Sequence, residues 1–165
     1  MPLTPGRNAP HTDIVYTPKK LAKRIIKHFP LKGVVLDPCK GKGAFYKQLP
    51  SNVKRRWCEI ELDKDFLKYK RRADWIISNP PWSKMRAFLL HAFSLSNNIV
   101  FLAPITHFTT KARLRDMKAH GYAIREFYGV RTPKKPWPQS GFQLVACHIQ
   151  KSYKGSIILK GVFGK

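Results

Sequence analysis

Asn79-Pro80-Pro81-Trp82 brings together an amide, two prolines and an indole in four consecutive residues. It follows Trp75-Ile76-Ile77, an apolar run with the length and β-branched character of a buried strand. Two prolines cannot continue a sheet ladder, so the strand must end there and turn rigidly. The crevice beyond strand C-termini is where open α/β sheets bind ligands. In that crevice the Asn79 side chain offers a carbonyl acceptor, Pro80 a backbone carbonyl and Trp82 a flat face. Two acceptors and a stacking surface suit a planar ring that carries an amino group.

A second group of residues lies upstream. Gly33-Val34-Val35-Leu36-Asp37 reads as a buried parallel strand ending in an acid. It runs into Pro38-Cys39-Lys40-Gly41-Lys42-Gly43-Ala44-Phe45, which leads to a short helix expected over 45–49. Glycines two apart between strand and helix let the backbone turn tightly and approach a ligand. A phosphate-binding P-loop is excluded, because no Gly-Lys-Ser/Thr follows. The next strand is expected over 54–60, with Glu59 near its end and Glu61 two residues on, both pointing the same way if extended. A carboxylate about 20 residues past such a glycine loop is placed to grip a nucleoside ribose. Asp65-Phe66 follows, in a connection too short for a full crossover helix, and is expected to line the pocket.

These groups need a scaffold. Thr17-Pro18 reads as a helix start, Thr as N-cap and Pro at the first helical position. Leu21, Ile25, Ile26 and Phe29 fall on one face of that helix, and five Lys and Arg on the other. Further on we expect a helix over 84–95 capped by Ser83, a strand over 99–102, and a basic helix over 109–120. Strands are expected over 123–130 and 142–150, with a short last one over 156–159. Residues 1–12 read as a flexible lead, and 13–165 as one domain.

Composition names a partner class. Lys and Arg total 32 against 9 Asp and Glu, a net charge of +23. This points to a polyanion, most simply nucleic acid. Six of the nine acids fall between 37 and 74, around the glycine loop. Arg113 on the basic helix, and Lys134, Lys135 and Trp137 in the Pro-rich loop 131–141, are candidate nucleic-acid contacts. No apolar run is long enough to span a membrane. Three cysteines without metal spacing read as reduced thiols in a cytoplasmic protein with no metal site.

Asp37-Pro38-x-x-Gly41-x-Gly43-x-Phe45 followed by Asn79-Pro80-Pro81-Trp82 resembles the S-adenosylmethionine-dependent DNA adenine-N6 methyltransferases. The motif order is that of their gamma group, and a small phage-type branch is most similar. The resemblance implies a Rossmann-like fold: a mostly parallel sheet, a C-terminal antiparallel strand pair and helices on both faces. It implies that Tyr16, Thr17 and Pro18 contact the cofactor, along with Asp37, Pro38, Gly41, Gly43 and Phe45. It places Glu59 or Glu61 at the cofactor ribose and Asp65-Phe66 at its adenine. It implies catalysis by Asn79, Pro80, Pro81 and Trp82 on an adenine flipped out of DNA. No target-recognition domain follows before Lys165, so specificity is expected to be relaxed or supplied by loops such as 131–141. RNA base amino-methylases and protein glutamine methylases share the Asn-Pro-Pro-aromatic motif. The charge argues against a protein substrate but does not separate DNA from RNA. Cytosine-N4 methylation, and a basic binding protein on a decayed methylase fold, are the remaining alternatives.

Overall fold

The computed structural model describes residues 15–139 and 141–164. The expected lead over 1–12 lies outside the described residues. Seven strands form one sheet: β1 (Val34–Asp37), β2 (Lys54–Trp57), β3 (Trp75–Ser78), β4 (Asn98–Pro104), β5 (Tyr122–Val130), β6 (Leu144–Lys151) and β7 (Ile158–Gly161). Their order is β2-β1-β3-β4-β6-β5-β7. Only β6 runs antiparallel to its neighbours, β4 and β5. Among the described residues four helices accompany the sheet: α1 (Lys19–His28), α2 (Met85–Leu95), α3 (Thr106–Thr109) and α4 (Lys111–Ala119).

Alternation along the strands divides the core in two. Leu36, Ile76, Ile99 and Phe101 pack with α2 and α4 residues such as Leu89, Phe93 and Met117. Val35, Ile77, Val100 and Leu102 pack with Ala22 and Ile25 of α1 and with Phe29, which follows it. Successive side chains on a strand point to opposite faces, so a strand that is apolar throughout needs a layer on each side. The expected architecture of helices on both faces is what the chain adopts.

Several boundaries differ from the sequence reading. α1 begins at Lys19 with Pro18 at its cap position and no side-chain cap, so Thr17 is not the N-cap. The segment after the glycine loop makes only a 3-10 turn, Tyr46–Gln48. β2 stops at Trp57. Glu59 then caps a 3-10 turn, Ile60–Leu62, so Glu59 and Glu61 do not lie on one extended strand. Ser83 does not cap α2; a 3-10 turn (Trp82–Lys84) leads into it. The basic segment 109–120 is broken by Thr110, whose side chain accepts from the Arg113 amide and starts α4. At Glu59 and at Thr110 a polar side chain meets a backbone donor and sets the boundary of the element.

Between β2 and β3 there is no α-helix, only 3-10 turns. The chain steps out from β1 to β2, then returns to β3 on the other side of β1. That reversal is a topological switch point, and it opens a crevice past the ends of β1 and β3. Asp37 and Asn79 stand at those two ends.

Candidate active site

A cavity of about 320 Å³ fills this crevice, within the usual range for small-molecule sites, about 300–1,000 Å³. The floor is the glycine loop: Pro38, Gly41 and Phe45 line it, Phe45 being buried. Gly41 has φ +52°, and a Cβ there would sit 3.5 Å from the Tyr16 ring, which also lines the cavity. Gly43 has φ +86° and does not line the cavity; it turns the loop so that the Lys47 amide bonds its carbonyl at 2.9 Å. A left-handed backbone at both positions is the reason glycine stands there.

Acids gather on one wall. Glu59, Glu61 and Asp65 all line the cavity. The Gly41 amide donates to Glu59 Oε2 at 2.7 Å and the Glu61 amide to Oε1 at 3.3 Å. Glu59 therefore ties the end of the second strand segment to the glycine loop. Asp65 Oδ1 accepts from the Leu67 amide at 2.9 Å, which places Phe66, 2% exposed, against Phe88 of α2 at a ring separation of 5.0 Å. Phe66 and Phe88 both line the cavity, making an apolar slot beside the acids.

Asp37 is fully buried and does not touch the cavity surface directly. The Ser78 hydroxyl donates to its Oδ1 at 2.7 Å and the Cys39 amide at 3.1 Å. Its Oδ2 has no hydrogen-bond partner among the described residues. Burial raises its pKa from 3.8 to about 6, against the lowering effect of Ser78 and of the Cys39 and Tyr46 amides. The Cys39 thiol, on the cavity wall, is held well above its usual range, by burial first and then by Asp37. It stays protonated and is no nucleophile at neutral pH.

The linkage for Asp37 has a definite sign. Its proton is held more tightly folded than unfolded, so stability is full below about pH 4 and is lost as pH rises to about 6. The loss is on the order of 3 kcal/mol, from about 1.4 kcal/mol per pH unit. His148 opposes it: burial lowers its pKa to about 4, so its contribution is lost as pH falls. We expect urea-unfolding curves of Asp37→Asn and the unaltered chain to diverge between pH 4 and 6, with the unaltered chain losing ground. Parallel curves would mean that Asp37 is not a strained carboxylate.

At the end of β3 the Asn79 amide is oriented by its partners. Its Nδ2 donates to the Val15 carbonyl and to Thr17 Oγ1, both at 3.2 Å. Its Oδ1 accepts from the Trp82 indole at 3.1 Å. A carbonyl can only accept and an indole N–H can only donate, so the amide cannot be flipped. Thr17, expected as a helix cap, instead holds this amide. Oδ1 keeps a second lone pair, and Asn79 and Pro81 line the cavity. Pro80 is buried and Trp82 half-buried, and neither lines it. Trp82 also donates to the Leu102 carbonyl at 3.0 Å, which pins the ring edge.

The nucleic-acid candidates fare unevenly. Trp137 is 4% exposed; its indole donates to the Tyr16 carbonyl at 2.9 Å and its ring meets Trp82 edge-on at 5.8 Å. It is a buried brace for the segment leading to Thr17 and not a surface contact, because a large ring with one satisfied N–H gains more inside than out. Arg113 is half-buried, its Nε donating to the His107 carbonyl at 2.9 Å. Lys134 and Lys135 are exposed.

Sequence reasoning missed Ser78 as the partner of Asp37 and Phe88 as a cavity residue. A hydroxyl closing an otherwise apolar strand was the available signal for Ser78. Phe88 was read only as an inward helix residue.

Solved structures with the same architecture bring the observations together. A putative class I S-adenosylmethionine-dependent methyltransferase from Listeria monocytogenes matches with TM-score 0.67 at 12% identity, covering 96% of this chain and 69% of that one. The fold is that of the class I methyltransferases. A putative RNA methyltransferase from Pyrococcus horikoshii shares it at TM-score 0.59 and 17% identity, over 81% of this chain and 82% of that one. So does a chain of the E. cuniculi complex responsible for methylating the termination factor eRF1, at TM-score 0.58 and 14% identity, over 86% and 100%. No protein-family profile and no curated protein matches the sequence. In this methyltransferase fold the glycine loop and the Asn79 turn flank the switch point, and the cavity lies between them. Among the described residues, no helix is long and apolar enough to cross a membrane and no cluster of side chains could hold a metal.

Proposed function

We propose that the protein transfers a methyl group from S-adenosylmethionine to the exocyclic amino group of a nucleic-acid base, with adenine N6 in DNA as the first candidate. The observation that carries this reading is the Asn79 amide, locked with Oδ1 as acceptor at the rim of the switch-point cavity. The residues present fit the cofactor. Glu59 suits the ribose hydroxyls, with Glu61 beside it on the same wall, and the Phe66–Phe88 slot suits an adenine ring.

When bound, S-adenosylmethionine supplies an electrophilic methyl group on a sulfonium. The chain's own residues prepare the acceptor nitrogen. An aromatic amine is a poor nucleophile because its lone pair is delocalised into the ring. Asn79 Oδ1 and the Pro80 carbonyl accept its two hydrogens and favour a pyramidal nitrogen with a localised lone pair. They also stabilise the positive charge that grows on it. An amino nitrogen that takes up the methyl group would become cationic and strongly acidic, so its proton would pass to solvent without a dedicated base. The Trp82 face serves as the wall for a base withdrawn from its stack, and Trp137 behind it keeps the ring in place. Exposed Lys19, Lys20, Lys23, Arg24 and Lys27 on α1 offset the unstacking cost, a few kcal/mol, through phosphate contact.

Glu59→Ala should weaken S-adenosylmethionine binding by about 10–100-fold, the worth of a charge-assisted hydrogen bond, while Glu61→Ala should change it less than about threefold. Calorimetry on both variants checks this, and the reverse order would move the ribose contact to Glu61. The reaction is tested with labelled cofactor on duplex DNA, single-stranded DNA and RNA, followed by nucleoside analysis. N6-methyladenine in DNA supports the first candidate. Transfer to RNA alone would assign the substrate to the RNA alternative, and no transfer to any of them with cofactor bound would sink the reading.

A further inference from the structure

Among the described residues the sheet is open at β2, which pairs there only with β1. Beside this edge runs a groove of about 760 Å³. It shares only Ile60 and Asp65 with the cofactor cavity. Arg55, Arg56, Lys64, Lys68 and Arg71 line it, against the carboxylates of Asp63 and Asp65. None of these five cations forms an ion pair among the described residues. Arg55 and Arg56 each donate to a backbone carbonyl, of Leu49 and Arg72, at 2.8 and 3.0 Å. The rings of Tyr46, Trp57 and Tyr69 lie among the cations. The ammonium groups of Lys40 and Lys64 sit 4.2 and 3.8 Å from the Trp57 ring centre, which holds positive charge near the groove.

Two polar atoms of this lining are buried and unpartnered: Arg56 Nε and Tyr69 Oη. The third such atom among the described residues is Asp37 Oδ2, next to the cofactor cavity. Both groove atoms can donate, and an unmet buried donor costs about 1–3 kcal/mol. An incoming group rich in acceptor oxygens and negative charge removes that cost. Cations interleaved with rings, in a groove rather than on a convex face, match a single strand better than a duplex.

We propose that the β2-edge groove binds the sugar–phosphate backbone of a single-stranded nucleic-acid segment outside the base that is methylated. The partner class rests on the nucleic-acid reading above. A strand seated there lies against the β2 edge, clear of the Asn79 turn, and acts as an anchor without touching the chemistry.

Two variants of the full chain test it, by anisotropy with a labelled single-stranded 20-mer at several salt concentrations. Lys68→Gln with Arg71→Gln removes two exposed charges and should lower the slope of log affinity against log salt by about 1.4, the value for two single-strand phosphate contacts. Tyr69→Phe removes only the unpartnered hydroxyl. It should weaken strand binding about fivefold with no fall in melting temperature, which a purely structural hydroxyl would not do. Cofactor affinity, read by calorimetry, should be unchanged in both. Unaltered slope and affinity in the two variants would overturn the proposal. Methyl transfer is read separately: weakened strand binding in the variants alongside no transfer by the unaltered chain would keep the groove and discard the enzyme reading.

Discussion

Asn79→Ala should lower the methyl-transfer rate at saturating substrate by at least 10²–10³-fold, the usual effect of removing one preorganised group at a centre of developing charge. Cofactor affinity should stay within about threefold, because Asn79 contributes one wall of the cavity and not the acids or the glycine loop. The substitution deletes the bonds to Val15 and Thr17, yet the Trp82 indole keeps its bond to the Leu102 carbonyl. No buried donor is stranded, so the fold should persist with a loss of about 1–2 kcal/mol. Single-turnover rates, cofactor calorimetry and a melting curve on the same preparation separate the three quantities. A rate within threefold of the unaltered chain would remove Asn79 from the chemistry. A collapse of all three would make it a structural residue.

Nucleic-acid binding should fall at least about 10³-fold between 50 and 200 mM salt, the expectation for six or more phosphate contacts on a duplex. The net charge of +23 requires strong counterion coupling, and the exposed cations are spread over α1, α4 and the 131–135 segment. Lys134→Ala with Lys135→Ala should reduce the slope by about 1.8, two contacts' worth on duplex DNA. An unchanged slope would take that loop out of the interface. A flat salt response of the unaltered chain would mean that the charge serves another partner.

Much of the scaffold was legible because its determinants are local. All seven strands were expected at roughly their places, since short apolar runs bounded by Gly, Pro and Asn leave few alternatives. The missing crossover helix before β3 followed from chain length alone. Boundaries were less legible. Glu59 and Thr110 set element boundaries through backbone amides within their reach, while Thr17 caps nothing and bonds the Asn79 amide, and those partners were invisible in a linear reading.

Sequence alone determined the two motifs, Asp37 to Phe45 and Asn79 to Trp82, their attachment to strand ends and the strong positive charge of the chain. Proline, glycine and net charge act through covalent geometry and long-range electrostatics, which need no fold to be evaluated. Tertiary structure decided what joins the motifs. Asn79 is oriented by Val15 and Thr17, more than sixty residues away in sequence. Ser78 supports Asp37, Glu59 ties down Gly41, and Trp137 turns inward to brace Tyr16 and Trp82. Each of these pairs depends on strand order, on which of two faces a side chain takes, and on which buried polar group lacks a partner. Those are properties of the packed molecule, because a hydrogen bond between distant residues exists only once the sheet has brought their backbones together.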